Sequence, residues 1–196
     1  MAIESADDDP ERSYSQSEKD QLTSNLYVLA EHIRQSGNHS QPYSSELICR
    51  WHRALFSGVR DHAGRMRAAD FGTDVLSFGP HYSCRREEVA ELIERHTANV
   101  NVLNRQITSQ TKPIELVRAA LYLHAEFIFI HPFEDGNGRI GRLIANFWLR
   151  RWGLPGLVIE ATKREYVARL NHYYMKNDLQ PLLDWAMRLY AQMFKI

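Results

Sequence analysis

An all-α bundle carrying one small β-hairpin is the fold class this sequence predicts, and three observations carry that expectation. Apolar residues recur at three- and four-residue spacing along most of the chain, the pattern of helices that each bury one face. One run, Leu116 to Ile130, is apolar or semi-polar almost all round, as a buried central helix must be. Residues 65–82 lack helical period, and their turn signals Gly72-Thr73-Asp74 and Gly79-Pro80 suit a hairpin. At 196 residues and 44% hydrophobic, one domain with a proper core is the natural organisation.

Each element can be justified in turn. Met1 to Gln16 is polar, with Asp7-Asp8-Asp9-Pro10 and several serines, and reads as a mobile tail ahead of a single domain over residues 17–196. A helix from near Ser17 to Gln35 sets Leu22, Leu26, Leu29, Ala30 and Ile33 on one side. Gly37 to Ser44 is a loop, and Ser45 opens a helix that closes at Gly58. Phe71 to Tyr82 is the candidate hairpin. Arg85 to Asn104 is amphipathic, with Val89, Leu92, Ile93, Val100 and Leu103 on its apolar side. Pro113 starts the central helix and Pro132 ends it, because proline disfavours helical geometry in the residue before it. Ile140, Leu143, Ile144, Phe147 and Trp148 then mark a helix from about Gly138, stopped by Gly153-Leu154-Pro155-Gly156. Two further helices run from Lys163 to Met175 and from Gln180 to Phe194. No internal repeat is found.

Composition narrows the function classes. Lys+Arg and Asp+Glu are equal at 24 each, so broad electrostatic binding to nucleic acid is not indicated. Cys49 and Cys84 have neither a zinc spacing nor a disulfide framework, and the nine histidines contain no close metal pair. No stretch is long and apolar enough to span a membrane, and the N-terminus lacks the order of a secretory signal. The expectation is a cytoplasmic protein of bacterial type that contacts neither membrane nor nucleic acid.

The chemistry concentrates between His131 and Arg142. Gly136-Asn137-Gly138 can turn freely and bring bare backbone amides near a ligand, forming an anion-binding nest. The following helix adds the positive end of its dipole. Arg139 and Arg142 are three apart, share one helix face and can converge on one anion. Asp135 offers a hard oxygen ligand suited to Mg²⁺, and His131 a largely neutral imidazole available as general base. Phe133 reads as a plug that pins the loop to the core. Singly, each has a plainer reading: a helix C-cap for His131, a turn for the glycines, a solvated face for the arginines. Together they are the parts that hold a metal-bound polyphosphate beside a proton acceptor.

This loop resembles that of the Fic family, which reads histidine, any, phenylalanine, any, acidic, glycine, asparagine, glycine, arginine, any, any, arginine. His131, Phe133, Asp135, Gly136, Asn137, Gly138, Arg139 and Arg142 match every specified position. The resemblance extends to Leu47 through Phe56, similar to an early family helix, and to Gly64-Arg65-Met66-Arg67, similar to the glycine-x-x-arginine that enters the family's flap. Ser83-Cys84 departs from the proline pair that often follows the flap.

The resemblance implies a Fic-type helical bundle and transfer of AMP from ATP to a protein hydroxyl. His131 would take the proton and Asp135 would hold Mg²⁺. Gly136, Asn137 and Gly138 would line the phosphate nest, Arg139 would bind the polyphosphate and Arg142 would meet the γ-phosphate. A target protein would dock on the flap by strand addition. Transfer of UMP, phosphocholine or phosphate on the same scaffold stays open, as does a non-catalytic nucleotide-binding module. A phosphorylating branch of the family has lysine where this chain has Gly138, which argues against that branch. Self-silencing members carry Ser/Thr-x-x-x-Glu followed by Gly or Asn. No glutamate here precedes Gly or Asn. Glu31 is the nearest candidate, with Tyr27 where the hydroxyl residue should stand. The expectation is therefore restraint by a separate small antitoxin-like partner, or none.

Overall fold

A computed structural model describes residues 14–35, 42–78, 80–157 and 163–194. The expected tail over residues 1–16 falls almost wholly outside them. Among the described residues there are seven α-helices: α1 (Gln16–Gln35), α2 (Ser45–Leu55), α3 (Val89–Gln106), α4 (Pro113–Ile130), α5 (Asn137–Arg151), α6 (Lys163–Lys176) and α7 (Gln180–Phe194). The one sheet is an antiparallel hairpin of β1 (Ser77–Phe78) and β2 (His81–Tyr82), with Ser77 opposite Tyr82 and Phe78 opposite His81. The predicted all-α class with a small hairpin is the observed one.

Helix α4 runs through the centre because most of its circumference is apolar, with only a narrow stripe through Glu115, Arg118, Tyr122, Glu126 and Phe129 reaching solvent. Leu116, Val117, Ala120, Leu121, Leu123, Phe127 and Ile128 are all buried. Helix α5 crosses it closely at Gly141, where a Cβ would lie 2.8 Å from His124 Nδ1 and 2.9 Å from Ile128 Cδ1. Trp148 Nε1 donates to the Leu116 carbonyl at 3.1 Å and ties the far ends of the pair. Helix α1 packs on α2 and α5, α3 lies on α4, and α6 and α7 pack together with α7 also on α4. A buried polar link joins three elements: Tyr43 Oη lies 2.9 Å from His96 Nε2, and His96 Nδ1 lies 2.8 Å from Glu126 Oε2.

Several boundaries differ from the sequence expectation for physical reasons. Ser44, not Ser45, caps α2, its hydroxyl accepting from the Leu47 N–H at 3.3 Å. Helix α2 ends at Leu55, three residues before Gly58, which sits at φ +74°. The amphipathic run from Arg85 opens as a 3₁₀ turn over Arg86–Glu88 and continues as α3 to Gln106. Strand pairing covers only the distal part of the Phe71–Tyr82 segment. Nearer its start, Ala68 and Phe71 form an isolated bridge, and a buried arginine claims the carbonyls of Thr73 and Asp74. Among the described residues no helix is long and apolar enough to cross a membrane.

Candidate active site

Helix α4 ends at Ile130, and His131 takes the left-handed conformation, φ +53° and ψ +59°, while its N–H still bonds to the Phe127 carbonyl at 3.1 Å. The residue expected to be the base is therefore also the helix C-cap, two readings that the sequence set against each other. Its Nδ1 lies 3.1 Å from the Ile128 carbonyl, one of the acceptors left open at a helix end. A carbonyl can only accept, so Nδ1 carries the proton and the neutral ring's basic lone pair is on Nε2. Phe78 of β1 lies flat on the imidazole, centroids 4.9 Å apart and planes 6° apart.

The loop beyond His131 is fastened at several points. Phe133 is fully buried and stacks on His52 at 3.8 Å and 13°. His52 Nδ1 accepts from the Gly64 N–H at 2.8 Å, so its Nε2 donates to the Asp135 carbonyl at 3.0 Å. Burial pushes the His52 pKa down to about 4, keeping the ring neutral and this tautomer fixed. The Asn137 amide bridges the loop, Oδ1 accepting from Phe133 N–H at 2.9 Å and Nδ2 donating to Phe133 O at 2.8 Å. Its side chain is thus spent on loop closure, which leaves its backbone as the part able to meet a ligand. Gly136 turns the chain into α5 at φ +77°, and a Cβ there would meet the Phe56 ring at 2.4 Å.

Asp135 is 5% exposed. Its Oδ1 accepts from the Gly136 N–H at 2.6 Å and lies 3.7 Å from Arg139 Nη2. Its Oδ2 accepts from the Tyr14 phenol. The Tyr14 ring lies under the guanidinium of Arg60 at 4.4 Å and of Arg139 at 5.7 Å. The N–H groups of Asn137, Gly138 and Arg139 belong to the first turn of α5, where no intrahelical acceptor exists, and Ile140 N–H to Gly136 O at 2.9 Å is the first bond of the ladder. Arg139 stands on that opening turn and Arg142 on the next, both half-buried. A carboxylate, an arginine and the opening amides therefore meet at one helix start, with a second arginine one turn on, an arrangement that binds anions.

A buried arginine connects this loop to the hairpin. Arg67, 1% exposed, donates through Nε to His131 O at 2.9 Å and through Nη1 to Thr73 O at 3.0 Å and Asp74 O at 2.8 Å. Its Nη2 reaches Ser83 Oγ at 3.1 Å, Cys84 O at 3.2 Å and Ile130 O at 3.3 Å. Glu134 adds a second tie, its carboxylate accepting from both the N–H and the hydroxyl of Thr73. Ser83 puts its N–H to use on Leu76 O at 2.8 Å, a bond proline could not make there.

A model described as the Fic/DOC family matches residues 42–149, more than half of the chain. The chain belongs to the Fic/DOC family. Among its curated relatives is the protein adenylyltransferase fic-1 of Caenorhabditis briggsae, 36% identical over 96 residues, which are 48% of this chain and 18% of that one. The protein adenylyltransferase Fic of Nematostella vectensis is 38% identical over 135 residues, 66% of this chain and 29% of that one. The chain thus spans less than a third of the length of either. The Fic-domain signalling protein of Bacteroides thetaiotaomicron superposes over 91% of this chain and 71% of that one with a TM-score of 0.75 at 23% identity. The Bartonella tribocorum effector BepC, solved with AMPPNP, covers 92% of this chain and 90% of that one with a TM-score of 0.70 at 15% identity. At these identities the two solved structures speak to the fold alone.

All the sequence-predicted residues lie between the end of α4 and the second turn of α5. Sequence reasoning missed His52, Tyr14 and Phe78, and gave Arg67 no role beyond a motif position. An invariant signal for His52 was absent because a histidine on an amphipathic helix resembles any other half-polar residue. Arg67 stood in the glycine-x-x-arginine, the one signal that could have marked it.

Proposed function

We propose that this Fic-domain chain transfers AMP from ATP to a serine, threonine or tyrosine hydroxyl of a target protein. The observation that carries the reading is the fixed tautomer of His131, which puts a basic nitrogen in the same loop as the anion-binding start of α5. The adenylyltransferase names of the relatives support the same reaction. In it, His131 Nε2 takes the hydroxyl proton as the target oxygen bonds to the α-phosphorus. The bond from that phosphorus to the bridging oxygen breaks, and pyrophosphate leaves. The amides of α5's first turn and the Arg139 and Arg142 guanidiniums face the charge that develops on the phosphates, commonly the largest catalytic contribution.

Asp135 suits Mg²⁺, which binds through one or two carboxylates plus substrate phosphates and, when bound, neutralises phosphate charge. The outer residues of the hairpin, Ser77 and Tyr82, are exposed, and an extended target segment adding to its edge would need little side-chain recognition. A proline at an edge position should then impair target labelling but spare ATP binding. Glu31 takes hydrogen bonds from Arg34 at 2.6 and 2.5 Å and from Gln35 at 2.6 Å, within its own helix. The reading is therefore of restraint by a separate small partner that would bring a carboxylate to Arg142, or of none.

ATP labelled at the α- or the γ-phosphate tests the reaction directly. Label from the α-position alone should reach protein, and His131→Ala should reduce it by about 10²–10⁴. Transfer of γ-label would mean phosphorylation, and undiminished transfer by His131→Ala would remove the base from its role.

A further inference from the structure

The hairpin has two faces, and the inner one meets the candidate base. In the register Phe78 opposite His81, both side chains turn inward. Phe78 is the hairpin's buried residue, 7% exposed, and it packs edge-on against Phe129 at 6.5 Å and Tyr174 at 6.1 Å. His81 lies 5.9 Å from Phe78 and 5.0 Å from Tyr174. Three aromatic neighbours therefore fix the Phe78 ring, and that ring lies parallel on the imidazole of His131.

Two torsions orient a histidine ring. The Nδ1–H bond to the Ile128 carbonyl settles which edge points inward, and a bond at the ring's rim constrains the tilt of the plane far less than a face-to-face contact does. A parallel aromatic plane at 4.9 Å removes the tilt, because any rotation drives ring atoms into Phe78 on one side or opens a gap on the other. The stack touches a face and leaves the Nε2 edge uncovered by Phe78. Arg67 keeps the two partners in register, bonding His131 O on one side and the carbonyls at the hairpin base on the other.

We propose that Phe78 is a positioning residue for this transfer: it clamps the plane of the His131 imidazole so that Nε2 points along the line of the incoming hydroxyl. The proposal rests on His131 acting as the base. It gives the flap a second task, separate from holding the target strand, and assigns it to a side chain that faces away from any strand docked outside. The clamp acts on orientation, so its loss lowers the rate of the chemical step and leaves nucleotide binding alone. Misplacing a reacting group by about an ångström can cost about 10² in rate.

The test compares Phe78→Ala, Phe78→Leu and Phe78→Tyr with the wild type. The expected kcat falls by about 10–100-fold in Phe78→Ala and by less in Phe78→Leu, while Phe78→Tyr, which keeps the ring plane, recovers most of the rate. ATP affinity by calorimetry stays within twofold throughout. A readout independent of activity is the mobility of the His131 ring without nucleotide, followed by ¹³C relaxation of its imidazole carbons. The wild type should show a rigid ring and Phe78→Ala a measurably more mobile one, with Nδ1 protonated in both because the Ile128 carbonyl holds that tautomer. A kcat within twofold of wild type in a folded Phe78→Ala overturns the proposal, as does an unchanged ring mobility. If Phe78→Ala fails to fold, Phe78→Leu decides by the same two criteria. A wild type that transfers nothing, or a His131→Ala that transfers normally, refutes the adenylyl-transfer reading instead, and the relaxation data still judge the clamp.

Discussion

Replacing Arg67 by methionine should cost about 2–4 kcal/mol of folding stability together with most of the transfer activity. The estimate follows from what each acceptor keeps. Without the guanidinium, Asp74 O retains the Arg86 N–H at 2.9 Å, Cys84 O retains the Ser83 hydroxyl at 2.8 Å, and Ile130 O retains the Cys84 thiol at 3.2 Å. The carbonyls of Thr73 and His131 lose their bonds to Arg67 outright. The buried His131 carbonyl so deprived costs about 1–3 kcal/mol and that of the exposed Thr73, which water can reach, about 1 kcal/mol, while methionine recovers part of the sum because it needs no desolvation of a charge. For a chain of this size each kcal/mol lowers the melting temperature by roughly 2–4 °C, so a fall of about 4–16 °C is expected. Arg67→Lys should recover little, since an ammonium is a point charge and cannot span six acceptors with a rigid fork. Urea titration followed by circular dichroism measures the stability, and α-labelled ATP the activity. A loss below about 1 kcal/mol would mean that the arginine bonds merely replace solvent bonds, and the argument from deprived acceptors would fail.

Acid should destabilise the chain through His52. Its folded pKa, about 4, lies below the unfolded value near 6.5, so the unfolded state binds the extra proton between those limits. The associated stability, about 3 kcal/mol, is present above pH 6.5 and lost as pH falls towards 4; a denaturation midpoint that is flat over that window would contradict it. Tyr14→Phe should tighten Mg²⁺ binding in the presence of ATP by up to about tenfold, because the phenol bonded to Asp135 Oδ2 no longer competes. Calorimetry showing no change would mean that the phenol and the ion use different parts of the carboxylate. Gly136→Ala should lower both stability and ATP affinity, since alanine at φ +77° costs about 1–2 kcal/mol before its Cβ displaces the Phe56 ring. Wild-type ATP affinity in a stable Gly136→Ala would show that the turn does not shape the nest.

The helical frame was legible because the burial of each helix is written in its own period. Leu116 to Ile130 could hardly be read otherwise, and α6 and α7 fell within a residue of their expected limits. The loop's candidate residues were legible as a group because they are neighbours in the chain. What stayed hidden are partners that meet across it: Phe78 on His131, His52 under Phe133, Tyr14 on Asp135. These pairs lie 53, 81 and 121 positions apart, and no local pattern encodes such distances. Arg67 shows a different limit. A charged residue in a segment without helical period reads as surface, and only the carbonyls gathered from three stretches of chain explain its burial.

The left-handed backbone at His131 has a consequence for how this chain responds to selection. A side-chain-bearing residue at φ +53° costs about 1–2 kcal/mol that glycine would not. Against that, glycine would forfeit the stack on Phe78 and the bond to the Ile128 carbonyl, contributions of similar size. Heat resistance is therefore nearly indifferent at the position proposed to hold the proton acceptor. Libraries screened on melting temperature alone would carry well-folded, inert chains alongside active ones.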